Sequence, residues 1–169
     1  KDKIDRILRQ EQAGFRSGRS CGEQIFTLRN IIKQSLEFQS PLLINYIDFK
    51  KAFDSIHRES LWSIVRSYGV PEKYINIFKS LYRKSTCCVK TKNGNTIMFD
   101  ILTGVRQGCI LSPFLFLLVI DFIMKKAIKD RALGIGWNRD RLADLDFADD
   151  IALVSNTHSG LQEMTKDLG

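Results

Sequence analysis

Apolar residues recur along this chain at two spacings, and the spacing sorts its segments. In "EQIFTLRNIIKQSLEF", Ile25, Leu28, Ile32 and Leu36 fall three or four positions apart, which predicts a helix turning those four residues to the core. "PLLINYIDF" is instead a nearly unbroken apolar run, the pattern of a strand covered on both faces. "RESLWSIVRSYG" reads as a helix stopped by Gly69, and a second helix starts at Pro71 with Glu72 in its first turn. "CCVKTKNGNTIMFDI" is a hairpin candidate, because Asn93-Gly94 supplies the left-handed backbone of a tight turn. In "LSPFLFLLVIDFIMKKAIKD", Ser112 caps and Pro113 opens a long helix whose basic end, Lys125, Lys126 and Lys129, complements the helix dipole. "LADLDFADDIALVS" reads as two half-buried strands joined at Asp149-Asp150. Strand, helices and hairpins in this order predict an α+β fold, an antiparallel sheet backed by helices.

Composition narrows the class. The 169 residues suffice for one core or for one lobe of something larger. A hydrophobic fraction of 44% excludes a disordered tail, and the longest apolar run, "PFLFLLVI", is too short to span a bilayer. The net charge of +7, dispersed rather than blocked into a tail, suits a polyanionic partner, and a solvated exterior explains it almost as well. Cys21, Cys87, Cys88 and Cys109 form neither a zinc spacing nor a disulfide framework, so reduced intracellular thiols are expected. No linker or repeat interrupts the chain. Its ends, set inside helical patterns, read as those of a fragment.

The acids raise the chemical question. Asp146, Asp149 and Asp150 stand in an apolar segment, where adjacent carboxylates repel and lose hydration. A cation, a basic side chain or exposure would compensate them. Asp48 ends another apolar strand, and if that strand pairs with the 142–155 hairpin, Asp48 faces Asp149 and three carboxylates converge. Such hard oxygen donors suit Mg²⁺ or Mn²⁺. A solvated turn is the commoner fate of an Asp-Asp pair, so spacing alone leaves both readings open.

Four motifs go further. "FADD" between "LADLD" and "IALVS" resembles the catalytic C motif of reverse transcriptases, "YIDFKKAFDSI" resembles motif A, and "GVRQGCILSPFLF" resembles motif B. "QAGFRSGRSCGEQIFTLRNII" is similar to the fingers segment of non-LTR retrotransposon and group II intron enzymes, and "KAFD" with "RQGCILSP" points to the non-LTR (LINE-type) branch. The resemblance implies a right-hand polymerase palm with part of the fingers and without the thumb. Residues 1–169 would be one reverse transcriptase domain fragment, with 1–40 in the fingers and 41–169 mainly palm with a fingers-side helical insertion.

It also implies roles. Asp48 and Asp149 would be the principal ligands of two Mg²⁺ ions, with Mn²⁺ as substitute, Asp150 the third catalytic acid, and the backbone carbonyl of Phe49 a further ligand. Phe53, five positions after Asp48, would lie beneath the incoming sugar and exclude a 2′-hydroxyl. A core Phe is the bland alternative. Gln107 and Gly108 would sit at the template and incoming nucleotide, with Arg106 and Ser112 as outer members of that pocket. Arg16 and Arg19 would grip phosphates, since guanidinium forks match their geometry. Ser17 stands where the family often has Pro. Asp54, expected to cap the helix near Arg58, and Asp146, expected as an ordinary strand or turn acid, match no catalytic position, and His57 and His158 carry no chemistry. RNA-directed DNA polymerisation is the activity implied, with RNA template, DNA primer and dNTPs as partners and no membrane. Endonuclease and nucleic-acid-binding regions are expected in the full-length chain, in the nucleus and cytoplasm of a eukaryotic host. An inactive RNA- or DNA-binding remnant and a two-metal nuclease are the alternatives.

Overall fold

A computed structural model describes residues 2–129, 131–137 and 140–168. In chain order the elements are α1 (Asp2–Asp5), α2 (Cys21–Glu37), β1 (Leu43–Ile47), α3 (Arg58–Ser67), α4 (Glu72–Tyr82), β2 (Thr86–Cys87), β3 (Lys90–Thr91), β4 (Gly94–Asn95), β5 (Phe99–Asp100), α5 (Ser112–Ala127), β6 (Ile135–Trp137), β7 (Asp140–Leu142), β8 (Asp144–Phe147), β9 (Asp150–Ser155) and α6 (His158–Lys166). They fall into two compact units, Lys1–Lys50 with Phe116–Gly169, and Lys51–Leu115.

The first unit is built on an antiparallel sheet ordered β1-β9-β8. β9 is its centre, and Ile151, Ala152, Leu153, Val154 and Ser155 are all buried. On one face Ile31 and Leu28 of α2 meet Leu145, Ala152, Val154 and Ile44. α6 lies against β9 and β1, where Asn45 Nδ2 donates to Thr165 Oγ1 at 3.0 Å. β1 is an edge strand, and Tyr46 near its end is exposed, so the expected cover on both faces is only partial.

α2 starts at a reciprocal cap: Ser20 Oγ accepts from Glu23 N, and the Glu23 carboxylate accepts from Ser20 N. The helical period is as expected, but the buried face is rotated. Ile31 is buried, while Ile25 and Ile32 are exposed and Leu36 is 75% exposed. Apolar residues occupy much of the circumference here (Phe26 and Phe38 included), so periodicity finds a helix without choosing its face. α5 poses no such choice. Leu115 to Ile120 are all buried, as befits a helix apolar on every side. Among the described residues no helix is long and apolar enough to cross a membrane.

In the second unit α3 and α4 bury Leu61, Trp62, Val65, Ile75 and Tyr82, with Trp62 and Tyr82 edge to face at 5.5 Å. α3 ends at Ser67 with Tyr68 as its C-cap, followed by Gly69 in left-handed backbone. Its N-cap is His57, whose ring accepts from Ser60 N, rather than Asp54. The predicted hairpin forms as β3 and β4 with Thr91 opposite Gly94, so Lys92-Asn93 make the turn and positive φ falls on Gly94 alone.

Candidate active site

The sheet delivers the predicted acids. β1 pairs with β9 from Leu43↔Ser155 to Ile47↔Ile151, and β8 pairs with β9 up to Phe147↔Asp150. Asp48 follows the last paired residue of β1, so the register continues to Asp150. Ala148 and Asp149 form the turn between β8 and β9, with Ala148 at φ 58°. Asp48 and Asp150 are exposed and line one hollow of about 200 Å³ with Cys21, Gln24, Tyr46 and Phe147, and Asp149 beside it is half-buried. Asp48 is thus level with Asp150 rather than Asp149. The two-residue turn leaves Asp149 outside the ladder, and the threefold convergence expected of these acids is not formed. Among the described residues no three His, Cys, Asp or Glu side chains gather closely enough to hold a metal ion.

The donor chemistry nevertheless suits a hard divalent cation. Asp48, Asp149 and Asp150 are oxygen donors at one end of one sheet, and none of them takes part in an ion pair among the described residues. Arg9, the basic side chain set against the other acids of this hairpin, is already committed. Arg9 donates to Asp146 Oδ2 at 3.1 Å and to Asp144, and lies 3.8 Å from Glu11. All four residues are buried. Burial, and then the charge of Asp144, holds the Asp146 carboxyl well above the usual range. Burial also raises Asp144, against the opposing pull of Arg9. For Arg9, burial works against the charge, but Asp144 and Asp146 outweigh it and the net shift is upward. Asp146 is therefore no ordinary turn acid. Its strand is covered on both faces, Leu145 towards α2 and Asp144 and Asp146 towards Arg9. Nothing in the alternation of residues 142–155 signals this, because the compensating cation lies more than 130 residues away in the chain.

Of the two arginines expected to grip phosphate, Arg16 does something else. Only 7% exposed, it donates to Arg9 O at 2.6 Å, Gln12 O at 2.9 Å and the Asp5 carboxylate at 2.8 Å. Its fork ties the loop to itself, since buried carbonyls and an acid absorb its donors before any ligand can. Arg19 is more open and donates to Gln10 O at 2.5 Å and to the Gln10 side chain.

The predicted nucleotide residues lie in the second unit. Phe53 is half-buried, and its carbonyl accepts from Val105 N at 2.9 Å. Gly104, at φ 77°, packs on this backbone, and a Cβ there would come within 2.7 Å of Asp54 Cα. Gln107 and Gly108 are exposed, Gly108 at φ 82°. Gln107 Nε2 donates to Asp54 Oδ1 at 3.2 Å, which gives Asp54 a partner in the loop in place of the helix cap. Arg106 donates to Ser85 Oγ at 2.8 Å and lies over the Tyr82 ring. Ser112 is buried at the start of α5 and donates to Arg106 O at 2.5 Å. With that proton committed, the Tyr82 hydroxyl donates to Ser112 Oγ at 3.2 Å and accepts from Arg106 N at 3.4 Å. Ser112 thus braces the loop from beneath. Tyr82, unmarked by any motif, completes that brace. All four cysteines are free.

Comparison with known proteins agrees with this framework. The family model described as "Reverse transcriptase (RNA-dependent DNA polymerase)" matches residues 1–169. The Pol polyprotein of the type-1 retrotransposable element R2 of Nasonia vitripennis is 30% identical over 156 residues, which are 92% of this chain and 15% of that protein. The Pol polyprotein of the type-2 retrotransposable element R2DM of Drosophila melanogaster is 28% identical over 151 residues, 89% of this chain and 14% of that protein. The chain therefore spans about a seventh of the length of these relatives. Among solved structures, apo telomerase from Candida tropicalis, truncated from its C-terminal domain, superposes with a TM-score of 0.69 at 21% identity. It covers 98% of this chain and 34% of that one. Its α+β fold is that of a right-hand polymerase, and the chain belongs to the reverse transcriptase family, with non-LTR retrotransposon polyproteins among its relatives.

Proposed function

We propose that this chain carries the polymerase centre of a non-LTR retrotransposon reverse transcriptase. A primer 3′-hydroxyl attacks the α-phosphate of a dNTP, the new phosphodiester bond forms and pyrophosphate leaves. Asp48 and Asp149, with the backbone carbonyl of Phe49, would hold two Mg²⁺ ions, for which Mn²⁺ could substitute, and Asp150 would be the third acid. When bound, such ions neutralise charge at the transferring phosphate and steady the entering and leaving oxygens. The observation that carries this reading is the β1–β9 register. It brings Asp48 and Asp150 to one sheet end beside the Asp149 turn, and among the described residues none of the three is in an ion pair.

The remaining roles are assigned from the motifs. Phe53 lies under the deoxyribose, Gln107 and Gly108 border the incoming nucleotide and its template base, and Arg106 positions that loop. Arg19 contacts phosphate. The net charge of +7 suits a duplex of RNA template and DNA primer, with binding that weakens steeply as salt rises. The parent protein joins this domain to a thumb, an endonuclease and nucleic-acid-binding regions, and works in the nucleus and cytoplasm of its eukaryotic host.

Primer extension on an RNA template by the full-length parent tests the reading. Asp48→Asn and Asp149→Asn should each reduce extension at least about a hundredfold while primer–template binding persists, since they remove ligands of the reacting centre. Extension undiminished in both variants refutes the assignment, and binding without extension in the unaltered protein identifies an idle fold.

A further inference from the structure

The turn that bears Asp149 is held by one side chain from the other end of the chain. Residues 11–13 run beside β8, where Ala13 N donates to Asp146 O at 2.9 Å and Asp146 N donates to Glu11 O at 3.2 Å. That bridge brings Gln12 to the hairpin tip. Its Oε1 accepts from Ala148 N at 2.9 Å and from Gly14 N at 2.7 Å, and its Nε2 donates to Ala148 O at 3.1 Å. The Gln12 side chain is fully buried. Both backbone polar groups of Ala148 are thus satisfied by a single primary amide, which offers donor and acceptor side by side.

Two further features show that this fit is tight. Ala148 holds φ 58°, a conformation that a residue with a Cβ adopts only where its surroundings enforce it. Gly14 lies so close that a Cβ there would come within 2.2 Å of Ala148 N and 2.7 Å of Ala148 Cα. Gln24 Nε2 closes the far side, donating to Glu11 O at 2.8 Å and to Asp146 O at 3.3 Å. Ala148 is therefore gripped at N, at O and against its Cα. The backbone angles of Ala148 set where the next residue, Asp149, points.

We propose that Gln12, seated with Gly14, is a positioning residue that fixes the Ala148–Asp149 turn and so aims the Asp149 carboxylate for the reaction. The inference rests on the polymerase reading of Asp149. A merely structural Gln12 would lower stability and nothing more. A positioning Gln12 governs turnover and the demand for metal in a protein that remains folded.

The test compares Gln12→Met, which keeps the volume and removes the amide, and Gln12→Asn, which keeps the amide and shortens its reach, with Asp149→Asn in the full-length parent. Single-nucleotide extension yields kcat, the dNTP KM and the half-saturating Mg²⁺ concentration, and circular dichroism and primer–template Kd report the fold. Gln12→Met should lower kcat and raise the Mg²⁺ requirement by about 10- to 100-fold, the range for residues that orient metal ligands. KM and primer–template Kd should move little. Gln12→Asn should show the same pattern more weakly. Unchanged kcat and Mg²⁺ requirement in both variants overturns the inference, as does failure of both to fold, which makes Gln12 a core residue only. If Asp149→Asn extends primers normally, the polymerase reading fails. If only Asp149→Asn is impaired, the positioning role alone fails.

Discussion

Removing the cation beneath the hairpin should be among the most damaging single changes in the first unit. The Arg9 side chain is 6% exposed and faces Asp144, Asp146 at 3.1 Å and Glu11 at 3.8 Å, while its backbone N–H donates to Asp121 at 2.7 Å. Arg9→Met keeps the backbone bond and much of the volume but leaves the acids with no cation at their centre. Breaking a buried ion pair from one side costs about 3–5 kcal/mol, a large share of the roughly 5–15 kcal/mol that holds a domain together. Protonation of the raised Asp144 and Asp146 carboxyls offsets part of this loss, so the damage should be greater at pH 8 than at pH 5. Arg9→Lys should rescue poorly, since one ammonium cannot replace a fork bonded to two carboxylates. Urea unfolding at the two pH values measures the effect, and adding Asp146→Asn to Arg9→Met should recover stability. A loss under about 1 kcal/mol at pH 8, outside the range for a broken buried pair, together with no recovery in the double variant, refutes the reasoning.

Three other outcomes are expected. Asp146 holds its proton more tightly folded than unfolded, where its ordinary value is 3.8, so the stability from this proton is complete below about pH 3.8 and decays as pH rises through the folded value. Asp146→Asn should accordingly flatten the decline of unfolding free energy above pH 4 in urea titrations, and parallel slopes for the two proteins would contradict the raised carboxyl. Tyr82→Phe deletes the hydroxyl that links Ser112 Oγ and Arg106 N, and should lower thermal unfolding stability by about 1 kcal/mol. Phe53→Val should raise ribonucleotide incorporation in primer extension by opening space for a 2′-hydroxyl, and unchanged sugar discrimination defeats that role.

What could be read from the chain was set by how local each cause is. The helix at Cys21–Glu37 and the hairpin at 144–155 follow from short-range periodicity, and the motifs flagged the acids at 48, 149 and 150. Which face of α2 is buried depended on the sheet it meets, so the pattern chose Ile32 and Leu36 where the fold buries Ile31. Asp48 came out level with Asp150 because a two-residue turn takes Asp149 out of the ladder, a detail of register that side-chain alternation does not specify. Arg16 reads from sequence as a phosphate grip because guanidinium chemistry is common to ligand binding and loop clamping, and only the carbonyls around it decide between them. No local pattern marks Arg9 or Gln12, for the opposite reason. Their partners, residues 144–148, lie at the far end of the chain.

Counting bound divalent ions tests the central claim most directly. In the full-length parent, assembled with an RNA template, a primer lacking its 3′-hydroxyl and the matching dNTP, electron paramagnetic resonance of added Mn²⁺ should find two ions per protein beyond those held by the nucleic acid alone. Asp149→Asn should remove at least one of them. An ion count that is zero, or that is the same with and without the Asp149 carboxylate, would contradict the account.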